Sequence, residues 1–257
     1  IALKQDFVEA FYNLGNLQKL MKFFDSAIKN YKKVIELESN NFRTHNELGL
    51  VLMIQGKIND AIFCFEQSIE VKPDFAEAHN NLGSALNING KIKAAIKSFE
   101  KALLINSNYA EAHNNLGNIF RGLKERDKAN LCYENAMQIK PEMDFLYGTL
   151  LNNRMNLGIW NGFSTQINEL KERIKNNENV IGPFALLGLI DDPVIQKKAA
   201  ESFINYHYPL NQELPNIKNQ PVHSKIRIGY FSGDFKIHPV AYLTAELYEL
   251  HDRDHFE

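Results

Sequence analysis

The stretch AEAHNNLGSALNINGKIKAAIKSFEKALLINSNY, residues 76–109, decides the fold, because its landmarks recur every 34 residues along the first half of the chain. The landmarks are a Leu-Gly pair, an alanine and an aromatic residue: Leu14-Gly15, Leu48-Gly49, Leu82-Gly83 and Leu116-Gly117; Ala27, Ala61, Ala95 and Ala129; Tyr31, Phe65, Phe99 and Tyr133. Glycine in a first helix and alanine in a second permit close approach of an antiparallel pair. We expect the aromatic residue to fill the space toward the next repeat.

This period and pattern resemble the tetratricopeptide repeat, a helix–turn–helix unit. The sequence predicts four repeats, at 8–41, 42–75, 76–109 and 110–143, preceded by a remnant of another repeat at 1–7. One unit buries too little core to be stable alone, so the repeats are expected to stack into an α-solenoid, a superhelix of helix pairs. The predicted fold is therefore mainly α.

The composition excludes several classes of protein. A formal charge of −2 over 257 residues gives no reason to expect nucleic acid or an anionic membrane as partner. No apolar run approaches the ~18 residues that span a bilayer. Cys64 and Cys132 are too few for a disulfide framework, which predicts a cytoplasmic protein. The absence of an initial Met suggests a trimmed chain, and self-association through the repeats stays open.

Two polar residue types also recur at the repeat spacing. Asparagines lie just before the Leu-Gly pairs, at Asn13, Asn81 and Asn115, and a weaker set precedes them by one residue, at Asn46, Asn80 and Asn114. Glu47 interrupts the first series. Spaced amides on the concave face could grip an extended peptide backbone, or they could form a solvated polar face. The histidines His45, His79 and His113 are interpreted as packing residues, and no metal site is predicted.

The repeat pattern ends near Asp144. Residues 144–208 are predicted to be a degenerate repeat or helical connector, with a helix beginning at the Asp192-Pro193 signal. A linker is predicted at 209–224. Residues 225–257 predict a strand, a turn and a helix, the first β-α unit of a truncated Rossmann-like lobe. His238 would lie near that helix start, as a general base or substrate contact or only as a capping residue.

The C-terminal part resembles the O-GlcNAc transferase family. The similar residues are Ile226 to Phe235 and His238-Pro239, together with an upstream block of Trp160, Pro183 to Leu187, Asp192-Pro193 and Gln196. The resemblance implies a GT-B glycosyltransferase that moves N-acetylglucosamine from UDP-GlcNAc to protein Ser or Thr hydroxyls, with inversion and without an essential metal. It implies that the superhelix carries protein substrates on its asparagines and that His238 is the active-site histidine.

The same resemblance limits what residues 1–257 would do alone. The family's UDP-binding residues lie in the second lobe, beyond Glu257, so no cofactor is expected in this stretch, and the fragment is expected to be inactive. Two alternatives remain: a non-catalytic tetratricopeptide scaffold that binds other proteins, and a related enzyme that transfers glucose to asparagine.

Overall fold

Helix pairs account for all of the regular structure in residues 2–208, the part of the chain that a computed structural model describes, with side chains from Phe7 onward. The helices are α1 Ala2–Leu20, α2 Phe24–Leu37, α3 Phe42–Ile54, α4 Ile58–Val71, α5 Ala76–Ile88, α6 Ile92–Ile105, α7 Ala110–Gly122, α8 Arg126–Ile139, α9 Leu146–Leu157, α10 Phe163–Lys175, α11 Pro183–Leu187 and α12 Pro193–His207. The described residues therefore form an all-helical superhelix. The strand predicted from Ile226, and with it the β-α unit at 225–257, lies outside them.

The first eight helices pack as four hairpins, α1 with α2, α3 with α4, α5 with α6 and α7 with α8. Each second helix then packs against the first helix of the next hairpin, and α8 packs against α9 in the same way. One continuous apolar core runs through the interfaces from α2 to α8, as expected when each unit buries its apolar face only by stacking. A separate cluster fills the interface between α8 and α9.

The contact between glycine and the aromatic residue fixes the spacing within each hairpin. Phe99 is fully buried, and a Cβ added to Gly83 would lie 2.8 Å from its Cε1 atom. The same arrangement holds for Gly15 with Tyr31, Gly49 with Phe65, and Gly117 with Tyr133. The expectation that the aromatic ring fills the space toward the next repeat was therefore incomplete, because the ring lies first against the glycine of its own repeat.

The choice between tyrosine and phenylalanine at this position follows from a hydrogen bond. Tyr31 donates its hydroxyl to Asn16 Oδ1 at 2.8 Å, and Tyr133 donates to Asn118 Oδ1 at 2.9 Å. Phe65 and Phe99 lie in repeats that have leucine and serine, respectively, at the position of those asparagines. A buried hydroxyl needs such an acceptor, so tyrosine occurs where asparagine supplies one.

A shared turn joins the two helices of every repeat. Lys22, Gly56, Gly90 and Lys124 occupy the same position and all have a left-handed backbone, with φ between 61° and 75°. The backbone N–H of the following residue donates to a carbonyl five residues earlier, at 2.8–2.9 Å, for example from Lys91 to Leu86. This is a Schellman-type end of the first helix, which favours glycine at its left-handed residue.

Replacing Lys124 with glycine should therefore stabilise the protein by ~0.5–1 kcal/mol. Lysine in a left-handed conformation costs ~1–2 kcal/mol, and removing that cost is partly offset because glycine loses more chain entropy on folding. Urea denaturation would measure the change. Gly90→Lys is the matched reverse substitution, since nothing lies within 4 Å of a Cβ at Gly90. Changes of the same sign in both variants would contradict this explanation.

The connector packs as a second small core after the repeats. Leu151, Leu170, Ile181, Leu186 and Ile195 belong to it. Asp192 caps α12 as the sequence predicted, accepting from Val194 N at 3.0 Å and Ile195 N at 3.2 Å. In the segment after α10, the Asn179 carbonyl accepts from Phe145 N and the Val180 carbonyl accepts from Gly148 N at 2.8 Å. This segment thus caps the start of α9.

No helix within residues 2–208 combines the length and apolar character that crossing a membrane would require.

Candidate functional site

The first helices of neighbouring repeats approach one another, α1 with α3, α3 with α5 and α5 with α7. Among the described helices, the second helices of neighbouring repeats make no comparable contact. A stack whose first helices are closer together than its second helices curves with the first helices on the inside. We call the surface formed by α1, α3, α5 and α7 on that side the inner face.

The predicted asparagines occupy two adjacent positions of these helices, but they differ in exposure. Asn46, Asn80 and Asn81 are buried, Asn114 and Asn115 are partly buried, and Asn13 is exposed. Asn46 retains only 1% of its accessible surface. The middle of the predicted peptide-binding row is thus closed to a ligand, whereas its two ends are accessible.

Four of the asparagines form a chain of hydrogen bonds that crosses three repeats. Asn115 Nδ2 donates to Asn80 Oδ1 at 3.1 Å, Asn80 Nδ2 lies 3.4 Å from Asn81 Oδ1, and Asn81 Nδ2 donates to Asn46 Oδ1 at 2.9 Å. Asn46 Nδ2 then donates to Glu77 Oε1 at 2.9 Å. The two amide–amide bonds between repeats both link residues 35 positions apart, so they have the same register. We call this set the amide chain.

Every amide in this chain donates toward the same end, the Glu77 carboxylate. Aligned amides polarise one another, and a carboxylate is the strongest acceptor with which such a chain can end. Tyr109 lies beside it. Burial, followed by the charges of Glu77 and Glu111, raises the pKa of Tyr109 to about 12, and a hydrogen bond with Asn80 opposes that rise. The phenol is therefore protonated at neutral pH. The amide chain holds neighbouring repeats in register.

Glu47, which interrupts the asparagine series in the second repeat, pairs with Lys19 of α1. The second repeat therefore contacts the first through an ion pair, where the later repeats are joined by hydrogen bonds between amides. At the other end of the array, Glu111 accepts from Lys140 Nζ at 2.9 Å. Burial would raise the pKa of Glu111, but the bond from Lys140 lowers it below its ordinary value. Three acidic residues of the inner face, Glu47, Glu77 and Glu111, thus have internal partners.

A groove lies between the first and second repeats on the inner face, around Asn13. It has a volume of about 450 Å³ and lies between α1, the loop after α2, and α3. The lining residues are Val8, Glu9, Tyr12, Asn13, Glu38, Asn41 and Arg43. Asn41 is occupied, since its Oδ1 accepts from Thr44 N at 3.0 Å and its Nδ2 donates to Glu38 at 2.9 Å. Asn13 and Arg43 are exposed, so an amide and a guanidinium face the groove together.

Sequence reasoning did not identify Tyr12 and Arg43 as groove residues. They occupy the repeat positions of Asn46 and Glu77, and a comparison of the repeats at those positions could have flagged them. Side chains at the same repeat positions are paired inside the amide chain further along, whereas in the first repeats the partly buried ring of Tyr12 and the exposed guanidinium of Arg43 lie beside Asn13. Their surroundings therefore differ from those of the same repeat positions later in the array.

His45 and His79 are buried, as the sequence predicted, whereas His113 is only partly buried, and all three bind the loops between repeats. The Nε2 atoms of His45 and His79 each lie 2.9 Å from the carbonyl oxygen six residues earlier, on Ser39 and Pro73, and that of His113 lies 3.1 Å from Ser107. Because a carbonyl only accepts, Nε2 carries the proton. Residues 2–208 contain no cluster of three His, Cys, Asp or Glu side chains that could hold a metal ion.

Cys64 and Cys132 are buried and unpaired with each other. Burial raises the pKa of both thiols to about 11, so both are protonated at neutral pH. Neither thiol fits a nucleophile. The candidate active-site residue, His238, lies outside the described residues, and its role stays a prediction.

Comparisons with known proteins identify the repeats. A model described as the tetratricopeptide repeat matches residues 8–41 and 110–143, and a model described as the TPR repeat matches 49–87 and 83–124. No curated protein sequence matches the chain. The matched segments lie within residues 8–143, and nothing in these comparisons points to the O-GlcNAc transferase family.

The chain is also similar in fold to solved structures of repeat proteins. The crystal structure of MamA is 30% identical, with a TM-score of 0.56, and the alignment covers 63% of this chain and 96% of MamA. PilF of Pseudomonas aeruginosa is 14% identical over 80% of this chain and 94% of its own, with a TM-score of 0.65. YrrB, described as a TPR protein with an unusual peptide-binding site, is 16% identical over 74% and 90%, with a TM-score of 0.51.

Proposed function

Because the chain belongs to the tetratricopeptide-repeat family, we propose that its inner face binds extended protein segments, as the substrate-recognition arm of a glycosyltransferase like O-GlcNAc transferase. The repeats themselves fit a role in protein–protein interaction. The proposal adds to this role a binding surface and a reaction.

One observation carries the binding part of the proposal, the groove at Asn13. An exposed amide offers a donor and an acceptor to a peptide bond, Arg43 offers donors to carbonyls or a carboxylate, and Tyr12 offers an aromatic surface. This mixture suits a polypeptide of varied sequence better than a small ligand of one charge. The groove lies between the first and second repeats, which the amide chain does not link.

The amide chain orders the part of the inner face that follows the groove. Its members donate hydrogen bonds to one another and to Glu77, so the repeats that they link are held in register before any ligand binds. A pre-ordered surface loses less conformational entropy on binding than a mobile one. In this proposal Asn13 and Asn115 contact the bound chain from the two accessible ends, whereas Asn46, Asn80 and Asn81 support the surface from below.

The reaction is proposed from the resemblance at 226–239. A serine or threonine oxygen would attack the anomeric carbon of UDP-GlcNAc, the bond from that carbon to UDP would break, and the hydroxyl proton would pass to a base. His238 is the candidate for this base, because a neutral imidazole near a helix N-terminus can accept a proton at neutral pH. The donor-binding residues would lie outside residues 1–257, so the proposal applies to the longer protein.

We expect the full-length protein to transfer labelled GlcNAc from UDP-GlcNAc to an unfolded acceptor protein. The pair Asn13→Ala and Arg43→Ala should raise the KM for the acceptor about fivefold or more, since each lost hydrogen bond costs ~0.5–1.5 kcal/mol. Release of UDP without an acceptor should not change in this variant. His238→Ala should abolish turnover and leave acceptor binding intact.

Asn87→Ala is the matched control, because Asn87 is an exposed asparagine near the end of α5, away from the groove. The glycosyltransferase is refuted if the full-length protein neither binds nor turns over UDP-GlcNAc. If the protein binds the acceptor but does not turn over UDP-GlcNAc, it is a non-catalytic scaffold. If the KM for the acceptor is unchanged in the double variant, the groove does not bind the acceptor, whether the protein is a transferase or a scaffold.

A further inference from the structure

The edge where the first helix of each repeat turns into the second carries a second row of exposed residues. We define the turn edge as residues 19–26, 53–60, 87–94 and 121–128, the same eight positions of the four repeats. It begins in the last turn of α1, α3, α5 and α7 and ends in the first turn of the helix that follows each of them.

Each repeat exposes at least one large apolar side chain along the turn edge. Leu20, Ile54 and Ile88 share one position and have exposed fractions of 76%, 58% and 60%. In the fourth repeat that position is Gly122, and the next residue, Leu123, is 45% exposed. Three residues before Ile54 and Ile88, Val51 and Ala85 are fully buried. The exposed row is therefore separate from the apolar face that forms the core.

The same edge is strongly basic. It contains nine lysine and arginine residues and four aspartate and glutamate residues. The opposite edge, residues 36–43, 70–77, 104–111 and 138–145, contains three basic and eight acidic residues. Two cations of the turn edge pair with acids, Lys19 with Glu47 and Lys128 with Glu125. Among residues 2–208, Lys22, Lys57 and Lys91 form no ion pair with another described side chain.

Helix stability does not explain these lysines. Lys57 and Lys91 are the N-cap residues of α4 and α6, and neither makes a side-chain capping bond. That position favours asparagine, aspartate or serine, and the positive end of the helix disfavours a cation there. Lys22 occupies a left-handed position that favours glycine. Lysine at these positions costs folding free energy, which points to a role outside folding.

From this combination we propose that the turn edge binds an acidic polypeptide segment with an apolar residue at every third position. The first helices of neighbouring repeats contact each other, and helices that pack together are about 8–10 Å apart, so we take a spacing of that order for the exposed apolar residues at their ends. A polyproline II segment rises about 3.1 Å per residue with three residues per turn, so every third side chain recurs on one face at about 9 Å. Acidic residues between them would meet Lys57 and Lys91.

A strand fits this row less well. Its side chains alternate between two faces, so residues on one face recur about every 6.6–6.8 Å, and those three apart point to opposite sides. The proposal is independent of the inner face, which the groove variants Asn13→Ala and Arg43→Ala alter without touching the turn edge.

The test is fluorescence anisotropy with a labelled peptide of five Leu-Glu-Pro units. We expect saturable binding to the chain of residues 1–257, weakened about tenfold or more in the pair Ile54→Ser and Ile88→Ser, because the apolar contacts are lost. The pair Lys57→Asn and Lys91→Asn should weaken binding similarly while improving the caps of α4 and α6. Retained or raised stability in urea separates the loss of binding from misfolding.

Matched controls use the same chemistry elsewhere. Phe63 and Leu131 are exposed to similar extents on the second helices, at 61% and 60%, and serine at both positions should leave binding unchanged. Peptides of Ala-Glu-Pro or Leu-Lys-Pro units should bind at least about tenfold more weakly, because one loses the apolar contacts and the other reverses the charge.

The proposal is overturned if the Leu-Glu-Pro peptide does not saturate the protein, or if the Ala-Glu-Pro peptide binds as well. It is also overturned if the Phe63 and Leu131 controls lose as much affinity as the turn-edge variants. Binding of phosphatidylserine vesicles through Lys57 and Lys91, without binding of the peptide, would replace the polypeptide partner by an anionic membrane surface.

Discussion

Replacing Gly83 with alanine should destabilise the protein by ~1–3 kcal/mol when Phe99 is present and should stabilise it by up to ~1 kcal/mol when Phe99 has been replaced by alanine. In the native protein the new Cβ would lie 2.8 Å from the Phe99 ring, and the ring is enclosed on all sides. Phe99→Ala alone should cost ~3–5 kcal/mol, because it removes a buried aromatic ring. In that background the added methyl group enters the vacated space, and alanine favours the helix.

Urea denaturation followed by far-ultraviolet circular dichroism gives the four free energies of this double-mutant cycle. Gly122→Ala is the matched control, since Gly122 lies in a first helix with nothing within 4 Å of an added Cβ. That substitution should be neutral or stabilising with either residue at position 99. If Gly83→Ala has the same sign with and without Phe99, the ring does not set the separation of the two helices.

The second large effect is expected at Asn46, in the middle of the amide chain. Asn46→Leu keeps approximately the same volume but removes the acceptor for Asn81 Nδ2 and the donor to Glu77 Oε1. Because an amide group left buried without a partner costs ~1–3 kcal/mol, we expect a loss of stability of that size. In a protein that already carries Asn81→Leu the loss should be smaller, with a coupling of ~0.5–3 kcal/mol.

Asn87→Leu is the control for asparagine loss, because Asn87 is exposed, and a surface substitution there should change stability by less than ~0.5 kcal/mol. Free energies of unfolding from urea titrations of the four proteins would show the coupling. Strict additivity of Asn46→Leu and Asn81→Leu would mean that the two amides do not depend on each other.

The sequence indicated the helical repeats well because their contacts are local and periodic. Gly83 and Phe99 lie 16 residues apart in one hairpin, and the same pair recurs in each repeat, so the spacing alone implies that two helices approach closely. The Asp192 cap was equally predictable, since capping depends on neighbouring residues.

The candidate site was harder to predict because it depends on offsets between repeats. The series of asparagines indicated one surface, but the bond from Asn81 to Asn46 depends on how one first helix is rotated against the next. The pairing of Glu47 with Lys19 follows no period. The N-cap lysines Lys57 and Lys91 were visible in the sequence, but their position at the helix starts became meaningful only with the helix boundaries known.

The cap on α9 has a consequence for the order of folding during synthesis. The repeats contact only their neighbours, so each can fold soon after the next repeat leaves the ribosome. The start of α9 is different, because the acceptors for Phe145 N and Gly148 N are the carbonyl groups of Asn179 and Val180. At ~5–20 residues per second those acceptors are made about 2–7 s after Phe145. The boundary between repeats and connector should therefore close later on a growing chain than the joints between repeats.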